Sequence, residues 1–183
     1  MPKRPEVFLL DAGPVIKLFE LEIWREVFDR AAIIVPSIVA CEAHFAIVDG
    51  ERRAIELTRL ASDGVITVKD CSPGDVDATL SRFDASIRDS IHPGEAQALA
   101  LLASWRGERP LFCLADQLAT IALCLIGLSE CAVSLERLLG MIGLARPIRP
   151  SWFSEERMRE WLTEGRRRAL VGEGTFHLRR DRG

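Results

Sequence analysis

Short, unbroken apolar runs alternate along the chain with stretches whose apolar residues recur at helical spacing. Val7-Phe-Leu-Leu ends in Asp11, Ala32-Ile-Ile-Val leads into Pro36, Val65-Ile-Thr-Val68 stands alone, and Leu111-Phe-Cys-Leu-Ala ends in Asp116. A weaker run lies at Cys131-Ala-Val-Ser134. Runs of this length, apolar on both alternating faces, are what a strand buried on both sides of a parallel sheet requires. A helix-like stretch follows Pro14, and helical patterns cover 22–29, 37–61, 75–83, 94–105, 117–126 and 135–142. Strand–helix alternation of this kind predicts βαβ units with right-handed crossovers, hence an α/β fold around a five-stranded parallel sheet.

From Arg146 the texture changes. Arg146-Pro-Ile-Arg-Pro150 breaks the alternation, and Ser154 followed by Glu155 and Glu156 reads as a helix N-cap with acids in the first turn. That last helix carries Met158, Trp161 and Leu162 on one face, to pack on the body or on a second subunit. The predicted organisation is one domain over 1–145 and an arginine-rich helix and tail over 146–183, with 172–183 loosely ordered.

At 183 residues, 48% of them hydrophobic, the chain suits a single domain with a substantial core rather than disorder. No apolar stretch is long enough to span a bilayer and no signal peptide is read, so the expectation is a cytoplasmic protein with no membrane partner. Cys41, Cys71, Cys113, Cys124 and Cys131 are odd in number and form no C-x-x-C pair, which predicts reduced core thiols rather than disulfides or zinc. His44, His92 and His177 are too scattered to complete a metal cluster. The formal charge of −3 is unevenly spread. Residues 1–145 hold 14 Lys and Arg against 21 Asp and Glu, and residues 146–183 hold 10 Arg against 6 acids. An acidic body with a basic tail suggests a cation-binding centre beside an anion-attracting surface; a solvated helix of mixed charge gives the same statistics.

Four acids stand where apolar residues are expected. Asp11 and Asp116 each end an apolar strand, and strand C-termini of a parallel sheet line the edge where ligand crevices open. Glu42 shares a helical stripe with Ile38, Phe45 and Ala46, and Glu95 with Ala98, Leu99 and Leu102. Pro93 puts Glu95 in a first helical turn, where the helix dipole itself favours an acid. A buried carboxylate must be protonated, paired or metal-bound. Lys17, Arg25 or Arg88 are the candidate partners; otherwise a set of hard oxygen donors without His or Cys selects Mg²⁺ or Mn²⁺. Neither a P-loop nor a G-x-S-x-G elbow is present.

Four ordered segments carry a resemblance: Leu9-Leu-Asp-Ala-Gly-Pro-Val-Ile16, Val35-Pro-Ser-Ile-Val-Ala-Cys-Glu42, Pro93-Gly-Glu-Ala-Gln-Ala-Leu99, and Leu114-Ala-Asp-Gln-Leu-Ala119 with Gly127-Leu128 after it. In order and spacing they resemble the PIN-domain nucleases over roughly residues 5–145, in particular the prokaryotic branch that supplies the toxins of toxin–antitoxin pairs. The resemblance implies a three-layer α/β/α sandwich, and Mg²⁺- or Mn²⁺-dependent hydrolysis of RNA phosphodiester bonds with Asp11, Glu42, Glu95 and Asp116 as catalytic metal ligands. It also implies an antitoxin partner and a homodimer. The sequence departs from that branch at Ala12, where a hydroxyl residue is usual, and at Ala119-Thr120, where Ala-Arg is usual. Glu130-Cys-Ala-Val-Ser134 replaces an expected Gly-Thr. The alternative expectation is therefore an attenuated PIN-like module that binds RNA or a protein without turnover. Arg166, Arg167 and Arg168 are the first candidates for phosphate contacts; Arg52 and Arg53 either share that role or are solvated helix residues. Ser37, Ser129 and Ser134 either assist at the site or serve as caps and turns.

Overall fold

The computed structural model describes residues 6–176. Its main sheet is built from β1 (Val7–Leu10), β2 (Ala32–Pro36), β5 (Thr67–Lys69), β6 (Leu111–Cys113) and β7 (Ala132–Val133), all parallel, in the order β5-β2-β1-β6-β7. The predicted α/β class and five-stranded parallel sheet are therefore present.

Period-two alternation makes the three layers. Phe8 and Leu10 of β1 and Ile33 and Val35 of β2 point to one face. There they meet α1 (Ala12–Glu20), α2 (Trp24–Arg30), α3 (Ser37–Glu42) and α9 (Leu135–Met141). Leu9, Ile34 and Phe112 point the other way, onto α7 (Pro93–Ser104), α8 (Gln117–Leu125) and α10 (Glu155–Val171). Beside these lie α5 (Pro73–Leu80) and α6 (Ala85–Arg88), which lend Phe83 at their junction and Ile87 to the same core. Nearly all of α7 is buried, Gly94 through Leu102, which is why its sequence is apolar all round rather than striped.

One predicted element is replaced. Instead of a single helix over 37–61, α3 stops at Glu42 and the chain forms an antiparallel hairpin, β3 (Phe45–Val48) with β4 (Glu51–Ala54), then α4 (Leu57–Ser62). The turn is Asp49-Gly50, with φ of 51° and 80°. Both central residues of a type I′ turn need positive φ, and Asp-Gly supplies it at low cost. Arg52 and Arg53 are thus strand residues, not helix residues. Arg53 pairs with Glu22 at 2.7 Å, and Arg52 lies 3.5 Å from the Phe45 ring centroid.

The C-terminal helix packs on the body. Met158 is buried, Leu162 packs beside it, and Gly165 lets α10 settle on α8: a Cβ there would stand 2.7 Å from Cys124 Sγ. At the N-terminus of α10, Glu155 accepts from Ser134 Oγ at 2.8 Å and pairs with Arg137 at 3.2 Å. The expected looseness beyond Gly172 does not extend to 172–176. Asp84 N donates to Gly174 O at 3.0 Å and Phe176 N to Arg82 O at 2.9 Å, so this segment is tied to the α5–α6 junction. His177 and the rest of the tail lie outside the described residues. Among the described residues no helix is long and apolar enough to cross a membrane.

Candidate functional site

Strand order places the site. From β1 the chain moves outward to β2 and β5, then returns to the other side of β1 for β6 and β7. The reversal falls between β1 and β6, the kind of switch point where a crevice opens at the strand C-termini. Asp11 directly follows β1 and Asp116 closely follows β6, and Asp11 N donates to Cys113 O at 3.0 Å, which stitches the two strand ends together.

Each acid is set by its local backbone. Asp11 is the extended N-cap residue of α1, but its side chain makes no capping bond. Asp116 is the N-cap of α8 and does cap it, accepting from Ala119 N at 2.9 Å. Glu95 sits at N3 of α7 in a capping box, accepting from His92 N at 3.1 Å through Oε2, and is only 6% exposed. Glu42 ends α3 and is exposed, with Oε2 3.2 Å from where a Cβ of Gly94 would lie. The side-chain-free Gly94 lets α3 and its carboxylate lie against the start of α7.

The four carboxylates share one electrostatic neighbourhood. Burial is the first cause that pushes Asp11 up to about 6; a backbone hydrogen bond at Ala12 opposes it, and repulsion from Asp116 and Glu42 adds to it. Burial likewise pushes Glu95 up to about 7, with repulsion from Asp116 and Asp11 outweighing the bond from His92. The cations that might have neutralised them are engaged elsewhere. Lys17 pairs with Glu20, Arg88 with Asp89, and Arg25 lies over the Trp24 ring. Among the described residues, no Lys or Arg forms an ion pair with Asp11, Glu42, Glu95 or Asp116. The nearby basic group is His92, whose Nδ1 lies 4.0 Å from Glu95 Oε1; the remaining carboxylate charge suits a hard divalent cation in donor chemistry. As they stand, like charges facing one another, no three His, Cys, Asp or Glu side chains among the described residues close into a group able to enclose an ion.

Gln97 does not stand out in the sequence and proves central to positioning. It is buried, and its Oε1 accepts from Ile38 N at 2.9 Å while its Nε2 donates to Ser37 Oγ at 2.7 Å and Asp70 Oδ1 at 2.6 Å. One side chain on the Glu95 helix thus holds the start of the Glu42 helix and the loop after β5. The available signal is an amide inside the otherwise apolar run Ala96–Leu102. Replacing Gln97 by Leu leaves Ile38 N without its acceptor, while Ser37 and Asp70 still bond each other, and is expected to cost about 1–3 kcal/mol. Calorimetry should show the stability loss, and a Mn²⁺ titration should show weaker binding because Glu42 loses its register. Unchanged Mn²⁺ affinity would confine Gln97 to a purely structural role.

The hydroxyl candidates find structural partners. Ser37 belongs to the Gln97–Asp70 network, Ser134 caps α9 and bonds Glu155, and Ser129 accepts from Arg166 at 3.3 Å. Thr120 is fully buried under α10, donating to Asp116 O at 2.6 Å. The arginine run is largely spoken for: Arg167 pairs with Glu164 at 2.8 Å and Glu173 at 2.9 Å, and Arg168 with Glu164 at 2.7 Å. Such exposed pairs are worth little, but they reduce the local positive field.

No protein-family model matches the chain, and no curated protein matches it.

Proposed function

We propose that this protein is a PIN-like metal-dependent ribonuclease, a hydrolase cutting RNA phosphodiester bonds with Mg²⁺ or Mn²⁺. The observation that carries the reading is the mutual repulsion of acids beside the β1–β6 switch point, Asp11 with Asp116 and Glu42, and Glu95 with Asp116 and Asp11, with no Lys or Arg paired to them among the described residues. Asp11 and Asp116 would hold the ion directly, and Glu42 and Glu95 would complete its shell directly or through water. When bound, the ion supplies an acidified water as nucleophile and positive charge for the leaving oxygen. The side chains prepare that chemistry. Glu95 has Oε2 tied to His92 N and Oε1 4.0 Å from His92 Nδ1, and burial pushes its pKa up to about 7, so it would bind a cation in competition with a proton near neutrality. Burial of Glu95 in the apolar helix α7 keeps water from that carboxylate and strengthens its electrostatic interactions. An antitoxin partner and a homodimer follow from the same resemblance and stand or fall with it; a cytoplasmic location rests instead on the sequence carrying no recognisable signal peptide.

The second reading is a module that binds RNA or a protein without turnover. It is favoured by Ala12 and by Thr120, which is sealed beneath α10 where the resembling nucleases carry a cation. Purified protein incubated with single-stranded RNA and Mn²⁺, with and without excess chelator, separates the two. The nuclease reading expects cleavage that chelation stops; binding without cleavage selects the second.

A further inference from the structure

Helix α10 carries none of the four carboxylates, yet it covers α8, the helix that Asp116 caps. Ala119 through Cys124 of α8 are all buried, and Thr120 carries the one hydroxyl among them. Its Oγ1 donates to Asp116 O at 2.6 Å, and Met158 Sδ of α10 lies 3.9 Å from the same oxygen. Both side chains are withdrawn from solvent. A buried hydroxyl needs an acceptor, and a helical threonine can use the carbonyl one turn back. Here that carbonyl belongs to an acid of the candidate site.

Threonine in a helix divides between two χ1 rotamers, because only one brings its hydroxyl to that carbonyl. Met158 is the α10 side chain packed beside the hydroxyl, and α10 is itself pinned at the same end of the sheet. Glu155 N donates to Glu136 Oε2 at 2.8 Å, and Ser134 Oγ donates to Glu155 Oε2 at 2.8 Å. Ser134 directly follows β7, the neighbour of β6, and Asp116 closely follows β6. Met158 lies one turn from this anchorage, its N–H donating to Ser154 O at 3.2 Å. Asp116 is thus held at two points: Oδ1 accepts from Ala119 N at 2.9 Å, and its carbonyl accepts from Thr120. A carboxylate free to turn must be ordered as a cation arrives, whereas one already fixed avoids that entropic cost.

We infer that Met158 and Thr120 are positioning residues for Asp116: seated α10 keeps the Thr120 hydroxyl on the Asp116 carbonyl, so that the carboxylate is fixed before a divalent cation binds. The inference rests on the metal-dependent reading and adds to it a part for the C-terminal helix.

The test uses the full-length protein and reads two quantities separately. Mn²⁺ affinity comes from the paramagnetic resonance signal of the free ion, and stability from the melting temperature in chelator. Thr120→Val removes the hydroxyl while Asp116 O keeps its bond from the N–H of residue 120. It should bind Mn²⁺ about tenfold more weakly, the low end of what groups one step behind a metal ligand contribute, and melt close to wild type. Thr120→Ser keeps the hydroxyl and loses a buried methyl, so it should bind Mn²⁺ like wild type and melt lower. Affinity and stability then rank the two variants in opposite orders, which packing alone does not produce. Met158→Ala should weaken Mn²⁺ binding as far as Thr120→Val does, and the double variant no further. If Met158→Ala fails to fold, Met158→Val removes less volume and carries the same comparison. Wild-type Mn²⁺ affinity in Thr120→Val, or affinity that simply follows melting temperature, overturns the inference and leaves the metal site standing. Wild-type affinity in the Met158 variant overturns it too, because Asp116 would then be held without α10. A wild-type protein that binds no Mn²⁺ removes the metal-dependent reading and this inference together.

Discussion

Asp116→Asn should abolish RNA cleavage and at the same time make the metal-free protein harder to melt. The first effect follows from removing a carboxylate at the switch point. Changes one shell further out cost roughly 10–100-fold in such sites, so loss of a direct ligand should exceed that range. The second effect follows from repulsion: Asp116 raises the pKa of both Asp11 and Glu95, so neutralising it relieves both. The helix cap survives, because the amide oxygen of Asn can still accept from Ala119 N. A gain of about 1 kcal/mol corresponds to roughly 2–4 °C in a chain of this size. Differential scanning fluorimetry in chelator reads the gain, and a gel assay in Mn²⁺ reads the loss. Persisting cleavage, or a lower melting temperature, argues against a shared carboxylate pocket.

The second large effect is on the pH dependence of stability. Asp11 rises from an ordinary 3.8 to about 6, and Glu95 from 4.5 to about 7. Each therefore binds protons more readily folded than unfolded, so its contribution to stability falls as pH climbs between those two values and stays low above them. The loss is on the order of 3 kcal/mol for either group alone, and less than twice that for both because part of each rise is their mutual repulsion. Metal-free protein should thus gain stability from these groups on going from about pH 7.5 to about 5.5, the reverse of a salt-bridged acid. Mn²⁺ should raise the melting temperature more at the higher pH, with proton release on binding. Glu95→Gln removes one of the two groups and should shrink the pH slope. A melting temperature indifferent to Mn²⁺ at both pH values, or a Glu95→Gln slope equal to wild type, would contradict it.

The sheet is readable because strands buried on both faces leave unbroken apolar runs, and at this length, between turn signals, few alternative structures produce them. Asp11 and Asp116 are readable for the same reason, as charges closing those runs. The hairpin is hidden although Asp49-Gly50 marks it: the apolar residues of 38–48 also satisfy a helical period, and over so short a segment periodicity does not separate helix from strand. Sequence spacing puts Glu42 on the apolar stripe of a long helix; in the structure it ends a short one and is exposed, brought to the other acids by its contact with Gly94. The quenching of Arg167 and Arg168 is legible, since Glu164 precedes them by three and four residues, the spacing that brings helical side chains together. The role of Gln97 is not, because its three partners come from Ser37, Ile38 and Asp70, far off in sequence.

The Gly165–Cys124 contact gives the molecule a built-in clock. With α10 seated, the Cys124 thiol is covered by a glycine and pushed up to about 11 by burial, so it is nearly inert to alkylating reagents. Exposed Cys41 should react first and calibrate the reagent. The later, slower modification of Cys124 then measures how often the terminal helix lifts away. Modification of Cys124 as fast as Cys41 would mean that this helix does not stay docked on α8.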